Sequence, residues 1–258
     1  MKSVCDSFEY ALYYDSDANF LITKMIQEGI PYSSIQNGKG HIDFEEESAK
    51  SELISYVSEL KRLADKKVLT TKGVQNKYGS DFFKNMNCLF TVGSTGGTGY
   101  NDPGTGFHPG VCKVPASNNN VKYVSQGPSV TFLRNGKYSD EKNKHLVDLA
   151  WQFYKYISSP EVNTYLCVYG SEGYFPISYD AYDTSNFQRV LNTSGLSAST
   201  YKTIVNDING RYLSTPVFPG SATLRDEMEG IMKNALTGTK TVESAINDAI
   251  DHTKMKIR

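Results

Sequence analysis

The stretch DLAWQFYKYISSPEVNTYLCVYGSEGYFPI, residues 148–177, decides how this chain is interpreted. Its start belongs to an amphipathic helix over 139–158, because apolar residues recur at three- and four-residue steps. We expect its buried face to hold Leu146, Val147, Leu149, Ala150, Phe153, Tyr154 and Ile157. Ser159-Pro160-Glu161 opens a second helix with proline in the first turn. Gly170 ends that helix, and residues 173–176 (GYFP) form a turn.

The remaining sequence predicts short strands that alternate with helices. Strands are predicted at 5–14, 88–92, 111–114, 122–124 and 130–133. Helices are predicted after Asp17 up to Gly29, and at 43–67, 81–86, 199–208, 222–237 and 241–256. A turn is expected at 37–40. This alternation predicts an α/β chain.

Composition excludes several classes of function. The 258 residues fit one large domain or two lobes. The 27 basic residues are balanced by 28 acidic residues, which argues against the basic surface that binding to nucleic acid or anionic lipid requires. Hydrophobic residues make up 39%, enough for a packed core, but no apolar run approaches the ~20 residues that span a bilayer.

The cysteines leave the redox compartment open. Residues 1–5 (MKSVC) look like the end of a signal with a lipid-accepting cysteine, but no apolar segment precedes Cys5, so we expect no functional signal here. Cys88 and Cys167 stand in apolar strings. They are interpreted as buried small hydrophobic residues, with a disulfide pair as the alternative.

The glycine-rich stretch GSTGGTG, residues 93–99, is the main candidate for ligand contact. It lacks the lysine of a P-loop and the spacing of a dinucleotide fingerprint. It is either a surface loop or a ligand-facing loop that offers backbone N–H groups and the Ser94 and Thr95 hydroxyls. The four histidines lack metal-ligand spacing, and no cofactor is predicted.

Aromatic residues are abundant, with 18 tyrosines. A sugar site needs an aromatic platform beside hydrogen-bonding groups. Trp151 lies in an apolar helical stripe and is expected in the core. The other candidate platforms, each expected more often in the core, are Tyr13, Tyr14, Phe20, Tyr100, Phe107 and Phe218.

Three motifs carry a family resemblance. They are DFFKNMNCLFTVGS (81–94), the opening stretch at 148–177, and PVFPGSATLRDEMEGIMKNALTGTKTVESAINDA (216–249). In order and spacing they resemble the extracellular solute-binding proteins of ABC importers, in the sugar-type branch that includes maltose-binding protein. The resemblance implies an α/β, type II periplasmic-binding-protein-like fold.

The same resemblance implies a division of the chain. Residues 1–123 and 195–258 would form the second, C-terminal lobe. Residues 124–194 would be the returning piece of the first lobe, flanked by hinge crossings. Most of the first lobe would be absent.

The function implied is binding without catalysis. The chain would be the substrate-binding component of an ABC importer, capturing a carbohydrate-like solute in an interlobe cleft and delivering it to a membrane permease. It would be monomeric and extracytoplasmic, at the cell surface or in the periplasm, with a lipid anchor in the full-length protein. The alternatives are a carbohydrate-active enzyme, for which Asp15 and Asp17 would be the paired carboxylates, and a surface adhesin.

The resemblance also implies ligand-binding residues in three groups: Asp15, Ser16 and Asn19; Ser94, Thr95 and Gly96; Phe218, Ser221 and Arg225. The aromatic residue that the family commonly places after the glycine-rich loop is missing. Arg225 stands where maltose-binding protein has a stacking aromatic. Its guanidinium offers a fork of hydrogen bonds to hydroxyls or to a carboxylate, with a surface ion pair as the alternative.

Overall fold

The computed structural model describes residues 7–116, 120–127, 129–170, 173–206 and 211–257. The strands of this part are β1 (Tyr10–Tyr14), β2 (Ser33–Gln36), β3 (Lys39–Ile42), β4 (Leu69–Thr71), β5 (Cys88–Val92), β6 (Tyr123–Val124) and β7 (Tyr212–Leu213).

The helices of the described part are α1 (Asp17–Glu28), α2 (Glu47–Asp65), α3 (Lys72–Gln75), α4 (Gly79–Lys84), α5 (Asp140–Ile157), α6 (Pro160–Tyr165), α7 (Ser185–Leu191), α8 (Leu196–Val205), α9 (Ser221–Thr237) and α10 (Val242–Lys254). Short 3-10 turns cover Asp43–Glu45, Thr95–Gly97, Gly99–Asn101 and Tyr179–Asp183, and a π-helical turn covers Leu166–Gly170.

A three-stranded parallel sheet lies at the centre, with strand order β4-β1-β5. Leu12 of β1 pairs with Leu69 on one side and with Phe90 on the other. Because β1 is central and all three strands are parallel, their carboxyl ends meet at one edge of the sheet. That edge is where open α/β sheets place ligands.

Local signals set the ends of the helix that follows β1. The Ser16 hydroxyl accepts a hydrogen bond from the Asn19 backbone N–H at 3.3 Å and caps α1. Gly29 ends α1 in the left-handed conformation, with φ of 79°, which glycine adopts without steric penalty. The predicted helix is therefore confirmed, and its cap brings Ser16 to the edge of the sheet.

The main hydrophobic core joins the first and last parts of the chain. Its central side chains come from α1, α2, α9 and α10 and include Leu21, Leu53, Met228 and Ile246, all fully buried. A smaller aromatic cluster lies between the 173–176 turn and α7 and α8. There the rings of Phe175 and Tyr201 are 5.1 Å apart, and those of Phe187 and Tyr201 are 5.6 Å apart.

Helix α5 forms where expected, but its burial was predicted wrongly. Leu146, Leu149 and Phe153 are exposed, and Trp151 is 48% exposed. Half-buried positions on the helix include Val147. The apolar spacing identifies which side of a helix is apolar, but it does not show that a partner for that side lies in the same chain.

Two predicted strands do not form. Residues 111–114 and 130–133 adopt no regular structure, because a strand requires a neighbour to complete its ladder of hydrogen bonds. The first predicted strand is shorter than expected and begins at Tyr10; residues 5–6 lie outside the described part. The 37–40 turn proves to be the tip of a hairpin, in which Asn37 and Gly38 have φ of 51° and 76° between β2 and β3.

The predicted state of two cysteines is confirmed. Cys88 and Cys167 are buried, free thiols, and Cys112 is exposed and free; Cys5 lies outside the described residues. None of the described helices is both long and apolar enough to cross a membrane.

Candidate functional site

The loops that follow β1 and β5 lie side by side at the carboxyl edge of the sheet. The Asp15 backbone N–H donates to the Val92 carbonyl at 2.9 Å. A Cβ on Gly93 would stand 2.9 Å from the Asp15 carboxylate, so any larger residue at this position would press on that carboxylate. The first two predicted groups of ligand residues are thereby brought together.

Two carboxylates at this edge hold neighbouring backbone in place. Asp15 accepts from the Gly79 N–H at 2.5 Å. Asp17 accepts from the Thr71 hydroxyl at 2.5 Å and from the Gly73 N–H at 2.8 Å. Burial raises the pKa of both carboxyl groups, and these hydrogen bonds lower it in part. Their bonds secure the loops rather than leave a free acid–base pair.

The raised pKa of Asp15 gives a testable pH dependence. For a carboxyl whose pKa is raised by folding, the stabilising contribution is full below the ordinary value of 3.8 and is lost as pH rises through the folded value. We therefore expect Asp15→Asn, which does not titrate, to gain stability relative to the parent chain across that window. Urea unfolding at a series of pH values measures this difference. If the free energy of unfolding changed with pH in the same way for the two proteins, the prediction would be contradicted.

A row of polar side chains links three separate segments of the chain. Arg225 Nη2 donates to Asn19 Oδ1. Asn19 Nδ2 donates in turn to Gln126 Oε1 at 2.7 Å. The third predicted group is joined to the first in this way. The Arg225 guanidinium bonds here to a neutral amide, an arrangement that the sequence analysis did not foresee.

The glycine-rich loop is ordered by its own hydrogen bonds. Ser94 Oγ accepts from the Gly96 N–H at 3.2 Å, and the Thr98 hydroxyl donates to the Thr95 carbonyl at 2.7 Å. The stretch predicted as a loop therefore contains two consecutive 3-10 turns. These bonds hold the Ser94 hydroxyl and the Thr95 backbone carbonyl in place.

An open groove of about 1970 Å³ runs along this edge. Among the predicted residues, Ser16, Asn19, Ser94 and Thr95 line it. Its wall is mostly apolar and includes residues 107–115, 123–127 and 174–179. This combination of an apolar wall and a few convergent polar groups is typical of small-molecule sites.

The other predicted residues lie behind or away from the groove wall. Phe218 is only 8% exposed, and its ring packs directly over Gly40. Ser221 accepts from the Phe218 N–H at 3.3 Å and so orders the turn before α9. Asp15 and Gly96 lie behind the wall, while Arg225 meets it through Asn19.

The aromatic residues that were candidate platforms for a sugar also differ in whether they are buried and whether they line the groove. Tyr13, Tyr14 and Phe20 are buried, as expected for core residues, although Tyr14 and Phe20 also border the groove, as does the half-buried Phe107. Tyr100 is 72% exposed but does not line the groove. Tyr174 was not predicted, yet it lines the groove and lies against Gly96. Its signal in the sequence was the glycine before an aromatic residue in the 173–176 turn.

Charged groups outside the groove do not assemble a metal centre. Within the described ranges, no three His, Cys, Asp or Glu side chains are arranged to hold a metal ion. His41 lies 2.9 Å from Asp43, and His252 lies 3.1 Å from Glu227. These two histidines therefore have carboxylate partners on the surface.

Comparison with solved structures identifies the fold. The chain superposes on the GacH receptor of Streptomyces glaucescens, solved unliganded and with acarbose, with a TM-score of 0.62, 18% identity, and coverage of 99% of this chain and 61% of that one. It matches maltose-bound MalE3 of T. maritima with a TM-score of 0.63, 14% identity, and coverage of 98% and 62%. The chain has a type II periplasmic-binding-protein fold, in part.

A third structure supports the same fold. The maltose-maltodextrin binding protein of Alicyclobacillus acidocaldarius matches with a TM-score of 0.58 and 14% identity over 95% of this chain and 62% of that one. The chain thus spans about three fifths of the length of these proteins. No protein-family model matches the sequence, and no curated protein does either.

Proposed function

We propose that this chain belongs to a solute receptor that binds a carbohydrate in a cleft and delivers it to the membrane permease of an ABC importer. The observation that carries the proposal is the groove at the carboxyl edge of the sheet, where hydroxyl and amide side chains face an apolar wall. Sugars present hydroxyl rims and apolar C–H faces, so they need both kinds of surface. The structurally similar proteins named above bind maltose, maltodextrins or acarbose.

The lobe division proposed from the sequence is supported by two features. The main core is built from the early and late parts of the chain, which would form the second lobe. Residues 124–194, the proposed returning piece, carry the exposed apolar side of α5. In the proposal the first lobe covers that side, and closure about the hinge shields the ligand from water.

We also propose that the protein is a monomeric, extracytoplasmic receptor rather than an enzyme. Asp15 and Asp17, the carboxylates that a hydrolase would need, are both used as acceptors for backbone and hydroxyl donors. A binding site needs no such pair, since no bond is made or broken. A lipid anchor on the full-length protein completes the proposed placement at the cell surface or in the periplasm.

A thermal-shift screen tests the carbohydrate assignment. The chain, expressed together with any coding sequence that precedes it, is heated with maltotriose, other oligosaccharides, sorbitol or a tripeptide. We expect an oligosaccharide to raise the melting temperature in a concentration-dependent way. Stabilisation by the peptide alone, or by none of these compounds, would contradict the proposal.

Variants in the hydrogen-bonded row of Arg225, Asn19 and Gln126 test whether a sugar that raises the melting temperature binds in the groove. Arg225→Ala removes the donor that orients the Asn19 amide, so we expect it to weaken sugar binding about threefold to tenfold, in the range of one ordinary hydrogen bond, because the guanidinium acts on the ligand only through Asn19. Lys233→Ala is the matched control, because it removes an exposed positive charge from the same helix. An equal loss of affinity in both variants would point to net charge instead of the site.

A further inference from the structure

We infer that Tyr174 is the aromatic platform of the proposed carbohydrate site, supplied by the 173–176 turn in place of the aromatic residue missing after the glycine-rich loop. This inference rests on the proposed function and deepens it, because it names the side chain that recognises the apolar face of a sugar ring. The ligand class is a pyranose or an oligosaccharide with an exposed C–H face.

The first argument is the contact between the Tyr174 ring and the glycine-rich loop. A Cβ built on Gly96 would lie 2.8 Å, 3.0 Å and 3.2 Å from the ring atoms Cζ, Cε2 and Cε1. Because three ring atoms are nearly equidistant, the ring lies over Gly96 instead of pointing its edge at it. Glycine at this position makes the close approach possible.

The second argument is what remains exposed. Tyr174 is 48% exposed and lines the groove. Gly96 covers part of the ring, and the groove that Tyr174 lines is also lined by Ser94 and Thr95. A sugar stacked on the ring would have these two hydroxyls within the same groove. Aromatic surface beside hydroxyl donors is the combination that carbohydrate recognition requires.

The third argument is that the turn holding the ring is fixed. Gly173 packs against the Thr95 carbonyl, and its N–H donates to the Tyr201 hydroxyl at 3.1 Å. Tyr201 is itself buried in the aromatic cluster with Phe175. A ring held on both sides by anchored neighbours loses little conformational freedom when a ligand binds, which favours affinity.

Three tyrosine variants test the inference by calorimetric titration with the oligosaccharide that gives the largest thermal shift. We expect Tyr174→Ala to weaken binding at least about tenfold, as is usual for an aromatic hot spot. Tyr174→Phe keeps the stacking surface and should stay within about threefold of the parent chain. Tyr100→Ala removes an exposed tyrosine that does not line the groove and should leave affinity unchanged.

Two glycine variants in the glycine-rich loop distinguish a ligand-binding role of the Tyr174 ring from a purely structural one. Gly96→Ala would displace the ring, whereas Gly97→Ala meets nothing within 4 Å. We therefore expect Gly96→Ala to weaken binding and Gly97→Ala to leave it unchanged, with both variants showing the circular dichroism spectrum of the parent chain. A ring with a purely structural role would change the melting temperature without changing affinity.

The two proposals fail in different ways. If the parent chain binds an oligosaccharide and Tyr174→Ala binds it equally well, the platform is refuted and the carbohydrate function stands. If Tyr174→Phe loses as much affinity as Tyr174→Ala, the hydroxyl and not the ring face recognises the ligand, which also refutes the platform. If the parent chain binds no carbohydrate, both proposals are overturned.

Discussion

Asp17→Ala should lower the free energy of unfolding by about 2–4 kcal/mol, since a buried donor left without its acceptor costs ~1–3 kcal/mol and two donors lose their acceptor here. The Asp17 side chain is 2% exposed and accepts from the Thr71 hydroxyl and the Gly73 N–H. Thr71 ends β4 and Gly73 lies in α3, so the carboxylate ties both elements to the start of α1. Alanine would leave these two donors buried without a partner.

The raised pKa of Asp17 sharpens this test. Burial disfavours the charged carboxylate, so an uncharged acceptor of the same shape should serve nearly as well. We expect Asp17→Asn to lose less stability than Asp17→Ala, because the amide oxygen still accepts from Gly73 and the Thr71 hydroxyl rotates to accept from the amide nitrogen. Asp226→Ala, at an exposed position on α9, is the control and should stay within ~0.5 kcal/mol.

Urea unfolding followed by circular dichroism measures all three variants. A loss below ~0.5 kcal/mol for Asp17→Ala would show that the penalty of burying the charge offsets everything its hydrogen bonds contribute. A larger loss for Asp17→Asn than for Asp17→Ala would show that the negative charge itself, and not the acceptor geometry, holds β4 to α1.

Gly173→Ala should destabilise the chain by about 2–4 kcal/mol, the sum of backbone strain and overpacking. Gly173 has φ of 103°, in the region that residues with a Cβ rarely adopt. The added methyl carbon would also stand 2.1 Å from the Thr95 carbonyl oxygen. Backbone on both sides must then move, because no flexible side chain can give way.

The matched control is Gly170→Ala, three residues earlier, where a Cβ meets nothing within 4 Å. We expect its melting temperature to stay close to that of the parent chain, while Gly173→Ala melts several degrees lower. Hydrogen exchange at Gly173 and its neighbours shows whether the loss is local to the turn. Equal melting temperatures for the two variants would mean that the turn does not depend on its contact with Thr95.

Sequence periodicity predicted the long helices well, because each carries its own start and stop signals. Ser16 and Gly29 bound α1, and Thr241 caps α10 by accepting from the Ser244 N–H at 3.2 Å. The strand at Cys88–Val92 was likewise predicted with its observed bounds, although only Cys88 in it is buried and Phe90 is exposed. These signals are local, so a single sequence contains them.

The candidate site was predicted less completely. The three groups of residues came from a family resemblance, and the structure joins them through Asp15 with Gly93 and through Arg225 with Asn19. Phe218 was expected to meet the ligand, yet its ring lies over Gly40 in the core. Tyr174 was not identified, because its neighbour Gly96 is 78 positions earlier and no local pattern links them.

By itself, the sequence determined the α/β class, the positions of the long helices and which side of each of them is apolar, because these depend on spacing within one segment; the short helices α3 and α7 were not predicted. The tertiary structure alone decided that two predicted strands find no ladder partner, that Trp151 is exposed, and that Tyr174 reaches the groove. Those outcomes depend on which distant segments meet, and the hydrogen bonds and contacts that join such segments leave no periodic trace in the sequence.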